Sequence, residues 1–133
     1  MKKTLIIFFL PFLFFSGCKK YPDDDRFMHL RSAKHRLCNA WQPFAGFNYN
    51  SNSEILFSFS DVVSFEEKGG LIFHIPTSSI DFSGAWNFTN HKSEILLNGS
   101  GNMFDFKINK LESDELWLQN DTMILKFNRK QFP

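Results

Sequence analysis

The stretch Phe104-Asp105-Phe106-Lys107-Ile108-Asn109 alternates apolar and polar residues without a break. Successive side chains of a strand point to opposite faces, so Phe104, Phe106 and Ile108 share one side while Asp105, Lys107 and Asn109 share the other. The pattern predicts a β-strand with one buried and one wetted face. Just before it stands Asn98-Gly99, a dipeptide favoured in hairpin turns, which predicts a tight return from a run covering Glu94 to Leu97.

Working outward, the same signals recur at close spacing. Trp41 to Tyr49 reads as a first strand, closed by Asn50-Ser51-Asn52-Ser53. A second follows in which Ile55, Phe57 and Phe59 face one way and Ser58 and Ser60 the other. Val62 to Glu66 makes a third, Lys68-Gly69-Gly70 turns the chain, and Leu71, Phe73 and Ile75 alternate with Ile72 and His74 in a fourth that ends at Pro76. Trp86 and Phe88 share a face after Gly84, and Asn90-His91-Lys92 turns the chain again. Two last runs, Glu115 to Gln119 and Thr122 to Asn128, are joined by Asn120-Asp121. These features predict an all-β fold of about eight antiparallel strands. Sequential antiparallel neighbours most simply roll into an up-and-down barrel with no exposed edge, although an open sandwich satisfies the same alternation. Ahead of the strands, Arg26 to Cys38 reads as a short helix that plugs one end. Phe27, Leu30 and Leu37 lie on its inner side, and Arg26, Arg31, Lys34, His35 and Arg36 on a solvated one.

The chain opens with Lys2 and Lys3, continues apolar from Leu5 to Phe15, and reaches Ser16 and Gly17 just before Cys18. That layout is a secretory signal, and its apolar part is far shorter than the ~20 residues of a membrane-spanning helix. Phe15-Ser16-Gly17-Cys18 resembles the lipobox of bacterial lipoproteins. The resemblance implies removal of residues 1–17, acylation of Cys18, and anchorage to a membrane through the acyl chains. Residues 18–25, with Lys19 and Lys20 ahead of Asp23, Asp24 and Asp25, are expected to form a flexible tether to a barrel domain at 26–133. The absence of Asp directly after the cysteine resembles lipoproteins sent to the outer membrane, and the lysine-then-acidic tether resembles signals for display at the cell surface.

Losing the signal removes two lysines and turns the formal net charge of +1 into −1, which speaks against a nucleic-acid partner. With Cys18 acylated, Cys38 has no disulfide partner and is expected to behave as a small buried hydrophobe. His29, His35, His74 and His91 lack metal-ligand spacing. No nucleophile elbow or phosphate-cradling glycine loop accompanies the serines, so neither an enzyme nor a cofactor protein is expected. Of the 18 Phe, six fall at or before Phe27, which leaves twelve for the β-domain.

Three segments carry a family resemblance: Leu30 to Lys34, the Trp that opens the first strand, and the Gly84-x-Trp86-x-Phe88 strand. Together with Glu115-Leu116-Trp117-Leu118 and the closing Ile124-Leu125-Lys126-Phe127, they resemble the lipocalin-like lipoproteins of Gram-negative bacteria over nearly the whole mature chain. The resemblance implies a calycin-type barrel without catalytic residues that binds a small apolar molecule. Candidates for lining such a cavity are Phe57, Phe59, Phe73, Trp86, Phe88, Phe104 and Phe106. The alternative is a barrel filled by these rings, serving as an interaction module for an envelope or host protein through exposed residues such as Trp117.

Overall fold

The computed structural model describes residues 20–25, 31–58, 60–75, 80–99 and 101–130. Among these, a short helix α1 (Ala33–Leu37) precedes nine strands: β1 (Ala40–Asn48), β2 (Ser53–Glu54), β3 (Val62–Phe65), β4 (Gly70–Ile75), β5 (Ile80–Thr89), β6 (Glu94–Gly99), β7 (Asn102–Leu111), β8 (Glu115–Gln119) and β9 (Met123–Arg129). From β3 to β9 each strand pairs antiparallel with the next, and β1 pairs with both β3 and β9. Eight strands therefore close into a barrel, and β2 is an extra strand on the far end of β1. Closure, rather than a sandwich, is settled by the long β1–β9 ladder from Trp41↔Arg129 to Asn48↔Met123.

The alternation holds at the centre of β7: Phe106 and Ile108 are buried, while Asp105 and Lys107 are exposed. Cross-strand pairs carry the inward face around the wall, as in Phe106↔Ile95, Ile108↔Leu118, Leu116↔Phe127, Val63↔Phe73 and Leu71↔Gly84. Trp41 and Trp86 stand in the core with their indole N–H groups satisfied, by Leu37 O and Glu66 O, each at 2.9 Å. At Gly84 a side chain would run into the backbone carbonyl of Asn98, so only glycine permits this approach of β5 to β6.

Several details depart from expectation. No strand runs through residues 55–58. Leu56 is exposed, and the chain turns instead at Ser58, whose N–H donates to Asp61 Oδ2 at 2.9 Å while the Asp61 N–H donates back to Ser58 O at 3.1 Å. Asn98-Gly99 is not the hairpin turn either: both residues still pair, with Met103 and Asn102, so the turn lies beyond Gly99. Gly101, at φ +77°, supplies the left-handed conformation that the turn needs. In β7 a bulge between Ile108 and Lys110 brings Asn109, assigned by alternation to the wetted face, into a buried position. The helix is shorter than the expected Arg26 to Cys38, with residues 26–30 outside the described residues. Its Arg36, expected on a solvated face, is buried.

Residues 20–25, expected as tether, are bound to the helix-capped end of the barrel. Lys20 Nζ donates to His91 O at 2.8 Å, and the hydroxyl of the fully buried Tyr21 donates to Lys92 O at 2.9 Å. The Asp23 N–H donates to Asn109 O at 2.7 Å, beside the bulge in β7. Asp24 is buried and its Oδ1 accepts from the Leu111 N–H at 2.7 Å, while the Asp25 N–H donates to Glu112 Oε1 at 2.6 Å. These groups close the end of the barrel beside α1, where Arg36 donates from Nε to Leu111 O at 3.0 Å and from Nη1 to Arg31 O at 2.6 Å. Cys18 and the signal at 1–17 lie outside the described residues.

Candidate functional site

The two ends of the barrel differ in kind. The closed end is made by residues 20–25, α1 and the turns after β3, β5 and β7. The other end is made by the turns after β6 and β8 and the 49–61 loop. There the barrel contains a cavity of about 190 Å³ lined by Leu71, Phe73, Leu97, Gly99, Phe104, Phe106, Met123 and Leu125. Every lining residue is apolar or glycine. Leu71, Leu97 and Phe106 are buried and form the floor, whereas Phe104 is 44% exposed at the rim. Around the same mouth, Met103 at 63% and Leu56 at 87% present large apolar side chains to water.

The lining follows from strand register. Leu97 and Phe104 are directly paired across β6 and β7, so both side chains stand on the inner face. Leu125 lies opposite Gly46, and a Cβ on Gly46 would approach Phe57 Cε2 to 3.0 Å and Leu125 Cδ2 to 3.3 Å. Glycine at position 46 thus lets the Phe57 ring lie against the wall next to Leu125.

Of the residues singled out from the sequence, the cavity brings together Phe73, Phe104 and Phe106. Phe57 stands beside it at Gly46, and Phe59 lies outside the described residues. Trp86 and Phe88 do face inward, but at the closed end. Trp86 meets Phe65 and Phe88 edge-on at centroid distances of 5.9 and 5.2 Å, and Lys92 Nζ lies 6.0 Å from the Phe88 ring. They border a separate open groove with Lys34, Glu67, Lys68, Gly69 and Asn87. Alternation gives a residue's face but not its height in the barrel, and height separates these two rings from the cavity. Leu71, Leu97, Gly99, Met123 and Leu125 complete the lining and are not aromatic. For the four apart from Gly99, which the sequence places in a turn, inward parity in the predicted strands is the available signal.

Trp117, expected as an exposed contact residue, is half-buried on the outer wall. Its ring lies under Lys126 Nζ at 3.9 Å and Lys110 Nζ at 4.8 Å, and its indole N–H donates to Glu115 Oε1 at 2.7 Å. Burial opposes the charge on Lys110, but hydrogen bonds to Glu115 and Asp25 outweigh it and hold the ammonium above the ordinary lysine range. At the closed end, burial pushes the Tyr21 hydroxyl up to about 12, with Arg36 opposing and Asp24 reinforcing the shift. Burial lowers Arg36, against the attraction of Tyr21, Asp24 and Glu112. Cys38, expected to be buried, is half-buried, and desolvation raises its thiol. None of these groups lines the mouth cavity. Among the described residues, no three His, Cys, Asp or Glu side chains stand close enough to hold a metal ion. What the cavity offers is dispersion contact and the release of water from apolar surface.

The closed eight-stranded meander with a short N-terminal helix matches solved structures along nearly their full length. A lipocalin-like protein from Bacteroides uniformis superposes with a TM-score of 0.57 at 17% identity, covering 71% of this chain and 99% of that one. The fold is lipocalin-like. An uncharacterized protein from Bacteroides eggerthii shares this lipocalin-like barrel with a TM-score of 0.55 at 15% identity, covering 71% of this chain and 99% of its own. A DUF4847 family protein from Bacteroides vulgatus gives a TM-score of 0.51 at 8% identity, with coverage of 73% and 96%. No protein-family model and no curated protein matches the sequence.

Proposed function

We propose that this protein is a membrane-anchored lipoprotein, acylated on Cys18, whose lipocalin-like barrel binds a small hydrophobic ligand at its mouth and performs no catalysis. The observation that carries the binding role is the all-apolar cavity between Leu71, Phe73, Leu97 and Leu125, open past Phe104. Its volume of about 190 Å³ falls below the range of drug-sized pockets, roughly 300–1,000 Å³, and slightly above the ~150 Å³ apolar cavities that take up a single benzene ring. The ligand therefore seats one ring or a short chain inside and leaves the rest at the rim. Each methylene so buried contributes about 0.8 kcal/mol. The lipobox-like Phe15 to Cys18 supports the anchor, and the residues after it support a place in the outer membrane, facing the periplasm or the cell surface.

The test is displacement of a fluorescent apolar probe from the wild-type domain and from a Leu125→Trp variant, whose larger ring narrows the cavity. Probe binding by the wild type and its loss in the folded variant are expected. Equal binding by both places the probe elsewhere and refutes the site. The exposed Leu56, Met103 and Phe104 favour a second reading, in which the mouth receives an apolar segment of an envelope or host protein. That reading gains if no small apolar molecule binds and the mouth variants lose a protein partner instead.

A further inference from the structure

The N-terminal segment reaches the barrel with no slack. Lys20, Tyr21, Asp23, Asp24 and Asp25 are each hydrogen-bonded to the closed end, and Tyr21 and Asp24 are buried there. In sequence only Lys19 stands between Cys18 and the first of these residues. Two residues of fully extended chain span at most about 7 Å. Any acyl group on Cys18 is thus bound within about that distance of Lys20, whereas a free tether of the usual length leaves a domain to tumble.

We propose that the closed end of the barrel rests on the bilayer that holds the acyl chains of Cys18, so that the mouth and its cavity face away from that bilayer. The proposal rests on the lipid-anchor reading above. The bilayer is chosen as occupant of this face because the length of chain outside the described residues brings it there. Charge does not choose it: Lys34, Lys68 and Lys92 are exposed at this end, but so are Glu66, Glu67 and Asp114. The ten residues of β7, at about 3.4 Å each and tilted about 40° in an eight-stranded barrel, lift the mouth roughly 25 Å above the headgroups. At that height Leu56, Met103 and Phe104 do not touch the anchoring leaflet. The ligand is taken from the aqueous side or from a facing surface.

The experiment uses the full chain, acylated in cells and reconstituted into phosphatidylethanolamine–phosphatidylglycerol vesicles. Cys38→Ser leaves one labelling thiol, placed either at the closed end by Lys68→Cys or at the mouth by Asp121→Cys. A dye on that thiol is quenched by a headgroup-attached quencher. Several-fold stronger quenching of the Lys68→Cys label is expected, and a Gly-Ser insertion between Lys19 and Lys20 should abolish the difference while leaving the acyl mass unchanged. The pair Glu67→Cys and Ser51→Cys should repeat the result at independent positions. Equal quenching at both ends of an acylated protein, or stronger quenching at the mouth, overturns the orientation and leaves the anchor intact. A chain without acyl mass overturns the anchor reading, and the orientation with it.

Discussion

Replacing Asp24 with alanine tests whether residues 20–25 belong to the folded domain. Asp24 is 1% exposed, and its carboxylate accepts the Leu111 N–H at 2.7 Å. A charge-assisted bond of this kind is worth about 1.5–3 kcal/mol, and an orphaned buried N–H costs a similar amount. The same carboxylate favours the charge on the buried Arg36, so its loss also leaves that guanidinium less well compensated. Because the two losses share one group, they do not add, and about 3 kcal/mol is the expected destabilisation for Asp24→Ala. Asp24→Asn keeps a carbonyl acceptor for Leu111 and should lose roughly half as much. Urea unfolding of the domain, followed by tryptophan fluorescence, reads both variants. A change below about 0.5 kcal/mol for Asp24→Ala is the size seen for ordinary surface substitutions; it would show that the segment is a free tether and would refute the reasoning.

Further outcomes follow from the same structure. Tyr21 has a folded pKa raised from 10.0 to about 12, so its contribution to stability is fully present below pH 10.0 and is lost as the pH rises towards 12. That is on the order of 3 kcal/mol across the window, and Tyr21→Phe should flatten this part of the pH–stability curve. An equally steep decline in Tyr21→Phe would assign it to other groups. Gly84→Ala drives a methyl into the Asn98 carbonyl and should cost about 1–3 kcal/mol in thermal unfolding, the range for overpacking. A neutral result would mean that β5 and β6 separate easily at this point. His91 sits at φ 55° between Asn90 at 48° and Lys92 at 66°, so His91→Gly should stabilise by about 1 kcal/mol, and a destabilised variant would contradict the left-handed turn. Phe104→Glu puts a carboxylate on the half-exposed rim and should weaken uptake of apolar probes at least tenfold with little change in stability; unchanged uptake would remove Phe104 from the site.

Much of the barrel is legible in the sequence because burial writes a period of two into it. β7 could be read from Phe104, Phe106 and Ile108, and β4 from Leu71 and Phe73. Closure is expected from the number and sequential order of the strands, but the β1–β9 register that makes it is not legible, since alternation within each strand is blind to that partner. The candidate site was half legible for a related reason. Parity placed Phe73, Trp86, Phe104 and Phe106 on the inner face, but the stagger of the strands decides which rings reach the mouth and which lie on the closed end. Residues 20–25 are polar, and polarity reads as tether. Their burial rests on a bulge at Asn109 and on the Leu111 N–H that Asp24 accepts, neither of which has a sequence signature.

The binding role is tested most directly by native mass spectrometry of the domain from residue 19 onward, purified gently from its own cell envelope and measured before and after organic extraction. The account predicts an apolar adduct of small mass on the wild type, removed by extraction and depleted in Leu125→Trp. A bare polypeptide mass before extraction, unchanged when short-chain and single-ring apolar compounds are offered, would contradict it.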